Sequence, residues 1–165
     1  LGNQEQMGTA HNMLGEAARA RGAVEDAVQH YRRALEFHDN CGATASATIA
    51  ELNLSIMLVG SDRTREARAG VHRRLRTMIG LGHGQFVDAA KLVLLVCDAQ
   101  DGQWQGWLEK FEAVSRGLGE SGQVHEDLAT LAELAVARAT AENLPGEAKA
   151  AEKLATEQRT RLSAQ

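Results

Sequence analysis

The sequence predicts an all-α protein built from paired helices, and three observations carry that prediction. Ala, Leu, Glu, Gln and Arg dominate, aromatic residues make up only 4% and proline occurs once, a composition that favours helix almost throughout. The chain resembles itself at an interval of about forty residues, the signature of a repeat architecture. Within each copy two amphipathic stretches meet at one small or polar residue, Gly22, Asp62, Gly102 or Asn143, as a chain that must reverse direction in a tight turn requires.

The register starts at Leu14-Gly15, turns at Gly22, and continues through Ala27 and Tyr31. One period on stand Leu54, Ser55, Asp62, Ala67 and Val71, and a further period on Leu94, Leu95, Gly102, Trp107 and Phe111. After one residue of slip come Ala135, Asn143, Ala148 and Glu152. Four helical hairpins are therefore expected, over approximately 7–42, 43–83, 84–122 and 123–162, forming one repeat domain across residues 1–165.

The first hairpin pairs "GTAHNMLGEAARARG" with "AVEDAVQHYRRALEF". Its small Ala27 lets the second helix approach the first, Leu14 and Tyr31 fill the space beside it, and Gly15 admits a neighbouring backbone. The second pairs "ATIAELNLSIMLVGS" with "TREARAGVHRRLRTM", and "GLGHG", Gly80 to Gly84, links it to the third. That glycine run lacks the Lys-Ser/Thr and the preceding strand of a phosphate loop. The third pairs "AAKLVLLVCDAQDG" with "WQGWLEKFEAV", where Trp104 and Trp107 read as packing residues at the turn. In the fourth, "DLATLAELAVARATAEN" leads to a helix starting at Pro145, whose missing N–H costs nothing at that position. A lone hairpin cannot bury its apolar face, so neighbours must stack.

Charge and cysteine content narrow the class further. A net charge of −4 argues against general polyanion binding. Cys41 and Cys97 show no metal-ligand spacing, and reduced thiols in the cytoplasm are the expectation. No apolar run reaches the roughly 18 residues of a membrane span. The first residue is Leu1, without Met or a signal peptide, which reads as a piece of a longer protein.

The Leu-Gly, Ala, aromatic, Ala pattern of Leu14-Gly15, Ala27, Tyr31 and Ala34 resembles the tetratricopeptide repeat family. The period is longer than that family's usual 34 or so residues and is similar to its subgroup with extended helices. Later copies depart from the pattern: Arg74 stands for Ala, Trp107 for a small residue and Glu152 for the aromatic. The resemblance implies a right-handed superhelical array whose first helices line a concave groove for a peptide or protein segment. The stretch from Trp104 to Gln158 also resembles the helical-repeat regions that follow the catalytic domain in some large bacterial serine/threonine kinases and signalling ATPases. That likeness implies a regulatory or docking part of a signalling protein, possessing no kinase motif of its own.

Carried over residue by residue, the family's groove positions fall on Thr9, Asn12, Glu16 and Arg19, then Ile49, Leu52, Ile56 and Val59. The third copy contributes Ala89, Leu92, Val96 and Ala99, and the fourth Thr130, Glu133, Ala137 and Thr140. Leu52, Ile56 and Leu92 are the expected apolar anchors, with Glu16 and Arg19 setting orientation. Three readings of the apolar middle stay open: a peptide groove, a central helix buried between its neighbours, and a face for a second copy of the chain. A role in clasping acidic carboxy termini is not implied, because Asn12 alone fits and the first lysine is Lys91.

On the helix "TREARAGVHRRLRTM", Ala67, Val71, Leu75 and Met78 form the apolar stripe, while Arg65, Arg68, His72 and Arg76 group opposite. That basic stripe is either a solvated face or a surface for phosphate groups, nucleic acid or an acidic protein. Arg74, near the apolar stripe, requires a carboxylate partner. His11, His30, His38, His72, His83 and His125 are scattered without metal-ligand spacing, so neither a metal, a cofactor nor a catalytic constellation is expected. The sequence thus reads as a non-catalytic scaffold or regulatory module that holds another polypeptide.

Overall fold

In a computed structural model, residues 2–80, 82 and 84–165 are described. They form eight α-helices: α1 (Gly2–Ala20), α2 (Val24–Asn40), α3 (Thr44–Val59), α4 (Thr64–Gly80), α5 (Gly84–Gln100), α6 (Trp107–Glu120), α7 (Glu126–Ala141) and α8 (Pro145–Leu162). No strand occurs among the described residues. Leu81 and His83, inside the Gly80–Gly84 link, lie outside them.

The turns share one chemistry. Residues with positive φ recur every twenty positions, at Gly22, Gly42, Asp62, Gly82 and Gly102, then at Gly122 and, one residue late, at Asn143. Most of them close the preceding helix with the same pair of hydrogen bonds. At the end of α1 the Gly22 N–H donates to the Arg19 carbonyl and the Ala23 N–H to the Ala18 carbonyl. The same pair recurs around Gly42, Asp62, Gly102, Gly122 and Asn143. This pair of hydrogen bonds, a Schellman motif, satisfies carbonyls that the last helical turn leaves unpaired, and its left-handed residue is why Gly, Asn or Asp stands there. The structural unit is thus one helix and one turn of twenty residues, half of the period that the hairpin pattern shows.

Helix starts are less uniform. Glu25 and Asp26 in the first turn of α2 suit the positive end of the helix dipole. At α7 the His125 ring accepts from the Asp127 N–H, while α8 opens on Pro145 as expected. Several helix starts differ from the sequence reading: α3 begins at Thr44 instead of Ala47 and α5 at Gly84 instead of Ala89. α1 reaches back to Gly2, and α6 starts at Trp107 instead of Trp104, because Gly106 adopts φ 65 and helix cannot run through it.

The chain divides into two compact units, Leu1–Arg76 and Thr77–Gln165. In the first, α1 packs on α2 and α2 on α3. Ala27, Tyr31 and Ala34 are fully buried, as their spacing predicts. Gly15 makes room for a side chain and not for a backbone: a Cβ there would lie 2.6 Å from Tyr31 Cε1. Leu14, expected beside Tyr31, is instead 49% exposed, because the glycine already places the ring against α1 on another face. Gly8 repeats the device one helical stretch earlier against the His38 ring.

In the second unit α5 packs on α6 and on α7, α6 on α8, and α7 on α8. Trp107 is buried, donates its indole N–H to the Leu95 carbonyl at 2.7 Å and stacks on Phe111. The large ring in a small-residue position is thereby accommodated, its polar atom paired. Trp104 meets Trp107 edge-on and donates to Glu142 at 2.7 Å. Gln158 is buried on α8; its side-chain carbonyl accepts from the His125 N–H and its amide donates to the Gln123 carbonyl. One side chain therefore holds the turn between α6 and α7.

Candidate functional site

The face shared by α1 and α3 gathers part of the predicted groove. The Asn53 side-chain amide donates to Asn12 Oδ1 at 3.2 Å, a polar rung joining the two helices. On α3, Ile49, Asn53 and Ile56 follow at four- and three-residue steps and so share one strip. Ile49 is 41% exposed and Ile56 half-buried. Beside the rung on α1, Thr9 and Glu16 are exposed and Arg19 half-buried. Glu16 accepts a 2.7 Å hydrogen bond from the Tyr31 hydroxyl. Burial, reinforced by that carboxylate, pushes the hydroxyl's pKa well above the ordinary tyrosine range. Asn53 was not among the sequence candidates; its place four residues after Ile49 is the signal that could have found it.

Other predicted groove residues face inward. Leu52 is 8% exposed, and Val59, Leu92, Val96 and Ala99 are fully buried. The reason is angular: each three-residue step falls about 60° short of a full turn, so Leu52 and Val59 rotate from the Ile49 strip toward the interior. Ala89 and Thr130 are half-buried, whereas Glu133, Ala137 and Thr140 are exposed. Glu133 is also held by Arg159 at 3.0 Å.

Arginines beside the predicted basic stripe on α4 form ion pairs. Arg65, His72 and Arg76 are exposed and Arg68 is half-buried. Glu66, the acid in the first turn of α4, takes Arg63 at 2.8 Å and Arg32 at 2.7 Å, and Arg63 also reaches Glu25 at 3.2 Å. The hydrogen bond from Arg63 holds the Glu66 carboxyl below its usual range. Arg74 finds the partner its position requires: it is 13% exposed, pairs with the Asp39 carboxylate, and places Nε 4.0 Å from Glu51 Oε2.

Glu51 is the buried acid of this unit, its side chain 3% exposed. Burial pushes its pKa up, and the nearby Arg73 and Arg74 only partly oppose this. It occupies the space that Gly70 leaves empty on α4, where a Cβ would collide with Oε1. Among the described residues, the buried Thr48 and Ser55 hydroxyls on the same helix, and Arg74 Nε, find no hydrogen-bond partner.

Among the described residues no group of three or more His, Cys, Asp or Glu side chains stands together as a metal site. One histidine pair that sequence spacing conceals does form: His11 on α1 and His30 on α2 approach to 3.0 Å between their Nδ1 atoms. Cys41 is half-buried and Cys97 buried, and no disulfide joins them. No described helix is long and apolar enough to cross a membrane. Against protein-family models and against curated proteins the chain shows no match.

Proposed function

We propose that this chain is a non-catalytic helical-repeat module of the tetratricopeptide type, four hairpins in a right-handed array, which holds a segment of another polypeptide. The observation that supports this most directly is the α1 and α3 face, where apolar Ile49 and Ile56 flank Asn53 of the Asn12–Asn53 rung and Glu16 follows Asn12 by one turn of α1. Apolar anchors beside a polar rung suit a helical or extended peptide: the anchors supply water release, and the amides and carboxylate set register. On this reading the binding positions are Asn12, Glu16, Arg19, Ile49 and Ile56, joined by Asn53. Leu52 and Val59 support that surface from beneath, whereas Leu92 and Val96 belong to the core of the second unit. A regulatory or docking role in a bacterial cytoplasmic signalling protein fits this reading.

The experiment is a displayed-peptide selection on the purified chain, repeated with Ile49→Glu after circular dichroism has shown its helix content intact. Peptides with apolar anchors that bind the parent and not the variant support the face. Peptides recovered equally by both place binding elsewhere and overturn it.

A second reading rests on Arg65 and Arg76, exposed cationic side chains on α4, with His72 exposed on the same helix. An acidic protein or nucleic acid held there would bind with affinity falling steeply as salt rises. Replacing Arg65 and Arg76 by Ala would weaken that binding without touching peptide capture at Ile49. Salt-insensitive binding would rule it out.

A further inference from the structure

We propose that His11 and His30 form a two-histidine binding site for a borderline divalent transition-metal ion, with copper(II) held most tightly. The two Nδ1 atoms stand 3.0 Å apart across the α1–α2 pair. Two facing ring nitrogens at that distance share one proton, or, with both rings neutral, one metal ion. Metal–nitrogen bonds of about 2.0–2.1 Å place neighbouring ligand nitrogens about 2.9–3.4 Å apart for bond angles from square to tetrahedral. The observed spacing already has that bite.

The pair is held in place by packing. Gly8 and Gly15, on either side of His11 in α1, bring α1 close against the His38 and Tyr31 rings of α2. The His11 ring also stacks on Phe37, with centroids 5.5 Å apart and planes 14° from parallel. Little conformational freedom is left to lose when an ion arrives. Both histidines line an open recess of about 470 Å³ together with Gln29, Arg32, Arg33 and Glu36, which gives an ion a way in.

Electrostatics both help and limit the site. Burial first, then His30 and Arg33, lower the pKa of His11. Arg33 repels a cation, but it is paired with Glu36 at 3.0 Å, which offsets much of that charge. Imidazole ligands favour copper, nickel and zinc over magnesium or calcium, and copper leads the divalent series. With two protein ligands and water at the remaining positions, the ion exchanges freely, unlike a structural zinc.

The test is a copper(II) titration of the tag-free chain at pH 7.5, read by electron paramagnetic resonance. One saturable equivalent with two coordinated imidazole nitrogens is expected. His11→Gln and His30→Gln should each lower affinity about tenfold or more, whereas His72→Gln leaves it unchanged. Nickel and zinc should compete, and magnesium should not. Failure to saturate below about 100 μM, or one imidazole nitrogen or none in the spectrum of the parent chain, would overturn the site. So would affinity unchanged by either substitution. The spectrum of the parent keeps the proposal open to refutation even if a variant fails to fold.

Discussion

Gly15 and Tyr31 fit each other as a void and its filling: a Cβ on Gly15 would stand 2.6 Å from Tyr31 Cε1 and 2.7 Å from Cδ1. The ring is fully buried and cannot swing aside. Gly15→Ala gains about 1 kcal/mol of helix propensity, but forcing α1 off the ring costs about 1–3 kcal/mol. A net loss of stability is expected in urea unfolding. Adding Tyr31→Leu to Gly15→Ala should recover part of it, since the smaller side chain vacates the space; two losses that simply add would refute the steric account.

Glu51 and His38 give stability opposite slopes with pH. In the unfolded chain Glu51 ionises near 4.5, whereas burial raises its pKa in the fold, so above 4.5 the folded state keeps the proton longer. The contribution of Glu51 is therefore greatest below that interval and is lost as pH rises. His38 behaves in reverse: burial lowers its pKa from 6.5, so the unfolded chain takes up the proton first and stability is lost as pH falls below 6.5. Glu51→Gln should gain stability relative to the parent as pH climbs from 4.5, at up to about 1.4 kcal/mol per pH unit. Urea midpoints at several pH values would show it, and a difference constant with pH would rule Glu51 out as the source.

How much of this was legible in the sequence depends on which atoms decided each feature. The helices and their turns were legible because a left-handed C-cap favours Gly, Asn or Asp, and Gly22, Asp62, Gly102 and Asn143 meet that preference in plain view. The twenty-residue unit was concealed because hairpin pairing draws attention to alternate turns and leaves Gly42 and Gly122 among the other glycines. Facing was harder. α3 is apolar nearly all round, so nothing in its composition separates the Ile49 strip from Leu52 and Val59, and the difference lies in what packs against each. The His11–His30 contact was invisible for a related reason: it joins residues nineteen apart through the approach of two helices.

Gln158 shows how a polar residue can be structural. Its carbonyl oxygen and amide nitrogen are matched at 3.1 and 3.0 Å to the His125 N–H and the Gln123 carbonyl. Gln158→Leu keeps the bulk but leaves both backbone groups without their partner, at a cost of about 1–3 kcal/mol. Gln158→Glu retains the acceptor for His125 and loses the donor for Gln123. Both variants should raise amide exchange at residues 123–125 before global unfolding, whereas an unchanged exchange pattern would show that the turn holds without Gln158.

Ile49, on the proposed peptide face of the first unit, and Leu92, in the core of the second, separate binding from stability. Leu92 is fully buried, so Leu92→Ala should cost about 2–5 kcal/mol through lost contacts and the cavity left behind. Any loss of binding in that variant would follow from instability. Ile49 is 41% exposed, and Ile49→Glu, placing its charge in water, should change stability by only about 0.5 kcal/mol. Peptide affinity lost in Ile49→Glu at unchanged urea midpoint therefore reports the face itself. If affinity instead follows the midpoint across both variants, the α1 and α3 face is not the binding surface.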